Sequence, residues 1–231
     1  MAANDRAHAA DSARAALLVL ADGRFPAGGH AHSGGMEAAV KAGRIRDAAG
    51  LGAFCQGRLH TTGLTAAALA AAAADGLDPL ALDAAADART PSPVLRTTAR
   101  RLGRQLMRAA RAVWPSPELD ALAAARPRGA HQPVVLGLTA RAAGLTGWDA
   151  AHCAVYEAVS GPASAAVRLL GLDPFEATAV LARLAPAIDQ VTDRATAAAR
   201  QGIDSLPAAS APLLDITAEQ HAAWPVRLFA S

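Results

Sequence analysis

Apolar positions recur along this chain with a helical period, not with the alternation of strands. The clearest stretch follows Ser92-Pro93, where Leu95, Ala99, Leu102, Leu106, Ala109 and Val113 share one face. Arg96, Arg100, Arg104 and Arg108 share another, with Arg101 and Arg111 beside them. Such three- and four-residue spacing predicts an amphipathic helix, and Trp114-Pro115 ends it. Capping residues and Pro/Gly pairs punctuate the rest. A helix is expected from Asp11 or Ser12 to about Asp22, followed by a Gly/Pro loop over 23–32. A short helix after Ser33 stops at Ala42-Gly43, and Asp47 caps the next, which runs with an interruption near Gly63 to Asp75-Gly76. Asp78-Pro79 opens a helix that ends before Thr90-Pro91. Residues 115–130 read as a Pro/Arg-rich connection with a helical turn or two at Glu118 to Ala125.

Helix resumes from His131 through Gly144, and a long one runs from Asp149 to Gly171, where Gly161-Pro162 should kink or split it. Asp173-Pro174 starts the last long helix, to about Gly202, with a bend expected at Pro186. The pattern predicts an all-α, single-domain bundle of roughly eight to ten helices. Residues 1–10 are expected to be a disordered leader, 11–206 the helical domain, and 207–231 an irregular tail of that domain with a short helix near Thr217 to Ala222.

Composition narrows the function classes. The 231 residues carry a formal charge of only +2 and no nucleic-acid motif, so nucleic-acid binding is not expected. The uncharged run Leu59 to Ala74 is mostly alanine, with His60 and threonines, and reads as a helix of a soluble protein, not a membrane span. Asp5, Arg6, Asp11 and Arg14 interrupt any secretory pattern. Cys55 and Cys153 form no CxxC pair, in keeping with buried reduced thiols and a cytoplasmic location. No phosphate-binding GxxxxGK[ST], GxSxG or HExxH motif is present.

The richest local chemistry lies in Gly28-Gly29-His30-Ala31-His32-Ser33. Two imidazoles two residues apart are weak candidates for a divalent metal such as nickel, and Asp22 and Glu37 flank them. The plainer reading is a polar turn with capping carboxylates. The arginine stripe could dock an acidic partner or be a solvated face. His152-Cys153 is no joint site, because adjacent helical residues diverge. Tyr156 is expected to pack with a satisfied hydroxyl, and His60 and His131 to be structural.

Four blocks stand in order along the chain: Leu20-Ala21-Asp22 with Phe25-Pro26-Ala27-Gly28-Gly29 and His32-Ser33-Gly34-Gly35-Met36-Glu37; the arginine-bearing Thr98 to Leu106; His131-Gln132-Pro133-Val134-Val135-Leu136-Gly137, followed by Ser164 to Leu169; and His221 with Arg227-Leu228-Phe229-Ala230-Ser231. Together they resemble the UreF family of urease accessory proteins. His30 departs from the aromatic residue common there, and Asp173-Pro174-Phe175 replaces the family's glutamines.

The resemblance implies an all-α, non-enzymatic chaperone that dimerises, binds UreD (UreH) and with it recruits the GTPase UreG, so that nickel enters apo-urease. No tightly bound cofactor is expected; the assembled complex would handle nickel transiently. Partner contacts are expected from the tail (Arg227, Leu228, Phe229, Ser231), from the loop (His32, Ser33, Glu37) and from Arg100, Arg101 or Arg104. Rival readings are a nickel carrier using His30 and His32, a small helical enzyme using His32, Ser33 and Glu37, and a GTPase-activating protein that supplies an arginine to UreG.

Overall fold

The alanine run predicted as a helix forms the centre of the molecule. In the computed structural model, which describes residues 13–230, Leu64–Ala74 is α4, and ten of its eleven residues are buried. A helix wrapped on every side needs no polar stripe, which explains its lack of amphipathic period. Its methyl side chains let α8 (Gln132–Ala142), α9 (Gly147–Leu170) and α10 (Pro174–Ala199) pack around it. Gly137 lies directly on the Ala70 carbonyl, where a Cβ would collide. No helix among the described residues is long and apolar enough to cross a membrane.

The remaining helices surround this core: α1 (13–21), α2 (Met36–Lys41), α3 (Ala48–Arg58), α5 (Pro79–Ala88), α6 (Pro93–Val113), α7 (Pro117–Ala125) and α11 (Pro212–Ala222). The architecture is all-α, and no strand occurs among the described residues. The predicted starts hold because their caps are local. The Asp47 carboxylate accepts the Gly50 amide at 2.8 Å. Asp78, Ser92 and Asp173 cap helices whose first turn begins with proline. The helix expected from Asp149 starts earlier, at Gly147, where Thr146 and Asp149 close a capping box. The start expected at Asp11 or Ser12 and the leader 1–10 lie outside the described residues.

Four other expectations need correction. The Gly63 interruption is a π turn, Leu59–Gly63, that carries α3 into α4 without a break. Helix α11 begins at Pro212, a turn and a half earlier than expected. Pro162 does not split α9, because the Ala158 carbonyl it leaves without an amide accepts from Arg58 instead. The buried side of α6 is Gly103, Leu106, Met107 and Ala110, and Val113 is exposed. Gly103 rotates this seam, because the helix backbone there lies against the Ala130 carbonyl at the foot of α8.

Candidate partner-docking site

The N-terminal signature folds into a loop braced on two helices. Arg24 turns back on Asp22 through its amide (2.8 Å) and guanidinium (2.7 Å), and these bonds lower the Asp22 pKa to about 2. That carboxylate is taken up by the turn. Phe25 stacks on Trp114 with centroids 5.8 Å apart, and Gly28 rests on the Gln105 side chain of α6. Gly35 has φ of +91° and faces Leu214 of α11 so closely that any side chain would be strained in conformation and crowded in space.

Glu37 is the centre of the site. It is buried in the first turn of α2, and its amide bonds to the buried Ser33 hydroxyl oxygen at 3.3 Å. Its carboxylate receives three donors from the far end of the chain: the Leu228 amide at 2.7 Å, the Phe229 amide at 3.0 Å and His221 Nε2 at 2.9 Å. Burial alone would raise the Glu37 pKa, but these donors outweigh it and hold the carboxyl below its usual range. An ionised carboxylate can only accept, so His221 carries its proton on Nε2. The Ala230 amide adds a bond to the Ala31 carbonyl at 2.7 Å.

Packing completes the clamp. Phe229 is buried, with the Arg168 guanidinium 4.9 Å from its ring centroid. Lys41 Nζ lies 3.8 Å from the centroid of Trp224, whose ring also meets His221 at 4.7 Å. Beneath the loop, Arg58 donates to the Gly34 carbonyl at 2.7 Å and to the Ala158 carbonyl at 2.9 Å. The tail is therefore fixed by Phe229 while its neighbours face outward: Val226 is 81% exposed, Leu228 55%, and Arg227 lies open between them.

Glu37, Ser33, Leu228 and Phe229 thus come together. His32 is half-buried; burial and then the positive charge of Arg101 lower its pKa. His30 is exposed. Among the described residues no group of three or more His, Cys, Asp or Glu is arranged to hold a metal. Burial pushes the Cys55 thiol up to about 11 and Cys153 to about 12, so neither offers a thiolate at neutral pH. Ser231 lies outside the described residues.

The arginine stripe divides. Arg100 turns inward to Asp83 at 3.1 Å and Asp87 at 2.6 Å. Asp83 is 1% exposed and also accepts Arg126 Nε and the His131 amide, each at 2.8 Å. Burial raises the Asp83 pKa, but the His131 amide, Arg126 and Arg100 together bring it below the normal range. His131 Nε2 bonds to Asp87 at 2.7 Å, in keeping with a structural histidine. Arg101 and Arg104 point outward. Tyr156 is 37% exposed on the outer side of α9, not packed as expected, because it is one residue on from the core position Val155.

Sequence reasoning missed Arg58, Asp83, Lys41, Arg168 and Trp224. Their partners lie elsewhere in the chain, and no local spacing announces them.

The UreF family model matches residues 45–185. A urease accessory protein UreF from Mycobacterium sp. (strain JLS) is 45% identical over 216 residues, covering 93% of this chain and 97% of the relative. Its counterpart from Mycolicibacterium vanbaalenii is 44% identical over 224 residues, covering 95% of this chain and all of the relative. That from Mycobacterium marinum is 43% identical over 218 residues, covering 94% and 98%. The family model spans the helical core, the relatives cover more than nine-tenths of the chain, and the chain belongs to the UreF family of urease accessory proteins.

Proposed function

We propose that this chain acts in urease maturation as a non-catalytic, cytoplasmic scaffold. Dimerised within a complex with UreD/UreH and the GTPase UreG, it promotes nickel insertion into apo-urease. The observation that carries this reading is the Glu37 clamp. It fixes the last residues of the chain against the signature loop while leaving Val226, Arg227 and Leu228 exposed side by side. Apolar side chains around an arginine, held in place before binding, suit a protein partner, because little ordering entropy remains to be lost. His32, Ser33 and Glu37 act here by shaping and supporting that surface, and nickel is cargo of the assembled complex.

The test is co-purification of UreD/UreH and UreG with the full-length chain and with a chain truncated after Pro225. The truncated chain is expected to keep its helicity and lose its partners. Normal assembly by the truncated chain would overturn the docking role of the tail.

A further inference from the structure

A second surface is a cleft of about 810 Å³ between α5, α6 and the connection from α7 to α8, which includes no residue of the tail. Five arginines and two aspartates line it. The lining therefore has three more positive than negative charges, against +2 for the whole chain. The charges are not equivalent. Asp83 and Asp87 are consumed by Arg100, Arg126 and His131, which makes the floor a neutral, cross-linked layer. Arg101, Arg104 and Arg128 stand exposed on the walls, and no ion pair to them occurs among the described residues. Gly129, with φ of +102°, presses the connection onto the Arg100 carbonyl and sets Arg128 opposite α6.

We propose that this cleft docks an acidic peptide segment of a protein partner, with its carboxylates taken by Arg101, Arg104 and Arg128. Planar guanidiniums on two walls match carboxylate pairs presented along an extended chain. The lining has no aromatic ring on which a nucleic-acid base could stack, and the remaining wall is small: Ala84, Thr97, Ala125, Pro127 and Gly129. The floor's acids are already paired: Asp83 is 1% exposed beneath Arg100, Arg126 and the His131 amide, and Asp87, 43% exposed, has one oxygen on Arg100 and the other on His131. Only the identity of the partner, a component of the urease-maturation assembly, rests on the proposed function.

The probe is a fluorescein-labelled hexaglutamate peptide, titrated by anisotropy into the full-length protein at low salt. Binding is expected to weaken steeply as salt rises, and to fall roughly tenfold or more in Arg101→Glu/Arg104→Glu/Arg128→Glu. Arg108→Glu, an exposed site on α6 outside the cleft, should leave it unchanged, and circular dichroism melts should show both variants folded. Absence of peptide binding, equal loss with Arg108→Glu, or binding of inorganic pyrophosphate in place of the peptide would overturn the proposal. Co-purification then tests the occupant. Loss of UreD/UreH or UreG from the triple variant supports a maturation partner, whereas full assembly by a variant that no longer binds peptide excludes one. The truncation after Pro225 reports on the tail independently, so either reading can fail alone.

Discussion

Arg58 donates its Nε proton to the Ala158 carbonyl at 2.9 Å, the acceptor that Pro162 leaves without a partner four residues along α9. A helix interior normally gives each carbonyl the amide of residue i+4, and proline has none. The guanidinium takes that place, and its other arm holds Gly34 at 2.7 Å. The weak point of α9 and the signature loop are thereby joined by one side chain. Arg58→Met is expected to destabilise the protein by about 2–3 kcal/mol, through two carbonyls that lose charged donors. Pro162→Ala, which restores an amide to α9, should recover part of that loss in the Arg58→Met background. A double-mutant cycle by urea unfolding measures the coupling; strict additivity would show that Arg58 does not substitute for the missing amide.

Glu37→Gln should release the tail without unfolding the core. The amide offers a single acceptor oxygen to three donors, and its own NH2 opposes them. Hydrogen exchange at the Leu228 and Phe229 amides is expected to accelerate in the variant, with α4 amides unchanged. The same clamp is acid-sensitive. Because the folded Glu37 pKa lies below its ordinary 4.5, its stabilisation is complete above about pH 4.5 and lost as the pH falls through the folded value. Tail protection that is flat across that window would contradict the ionised clamp.

Asp83→Asn removes the carboxylate on which Arg100, Arg126 and the His131 amide converge. The expected cost is on the order of 3 kcal/mol, the low end for a broken buried pair, because both guanidiniums keep partial contact with water. Thermal unfolding checks the loss. Arg104→Ala, on the outer face of the same helix as Arg100, should shift stability by no more than about 0.5 kcal/mol.

Glu157 carries an opposite pH dependence. Burial pushes its pKa up to about 7, only partly offset by Gln132 Nε2 donating at 2.8 Å. A carboxyl whose folded pKa is raised holds its proton longer in the native state, so its contribution declines as the pH rises from about 4.5 to about 7. Glu157→Gln is expected to remove that decline and to be the more stable protein at pH 8. A variant that follows the wild-type stability profile would sink this assignment.

The fold was legible where its signals are local. Ser92-Pro93, Asp78-Pro79 and Asp173-Pro174 mark helix starts because a cap and its amides lie within three residues. The tail's place was not, since Glu37 and Leu228 are 191 positions apart. Pro162 is a breaker by local rules, and the donor that keeps α9 whole comes from Arg58, 100 positions from Ala158. The α6 pattern showed an arginine-bearing helix, but not that Arg100 would turn inward. That depends on Asp83 and Asp87, which in sequence look like ordinary surface charges of an alanine-rich helix. In the candidate site, Glu37, Ser33 and the tail were visible through family resemblance, while the donors and rings that hold them are tertiary.

The most direct measurement of the central claim is the nickel content and activity of urease purified from cells whose only copy of this chain carries Arg227→Glu. Arg227 is exposed and spares the clamp, so the variant should accumulate as a folded protein while urease is recovered intact, nickel-poor and inactive. Urease fully loaded with nickel and fully active in those cells would contradict a docking role for the clamped tail.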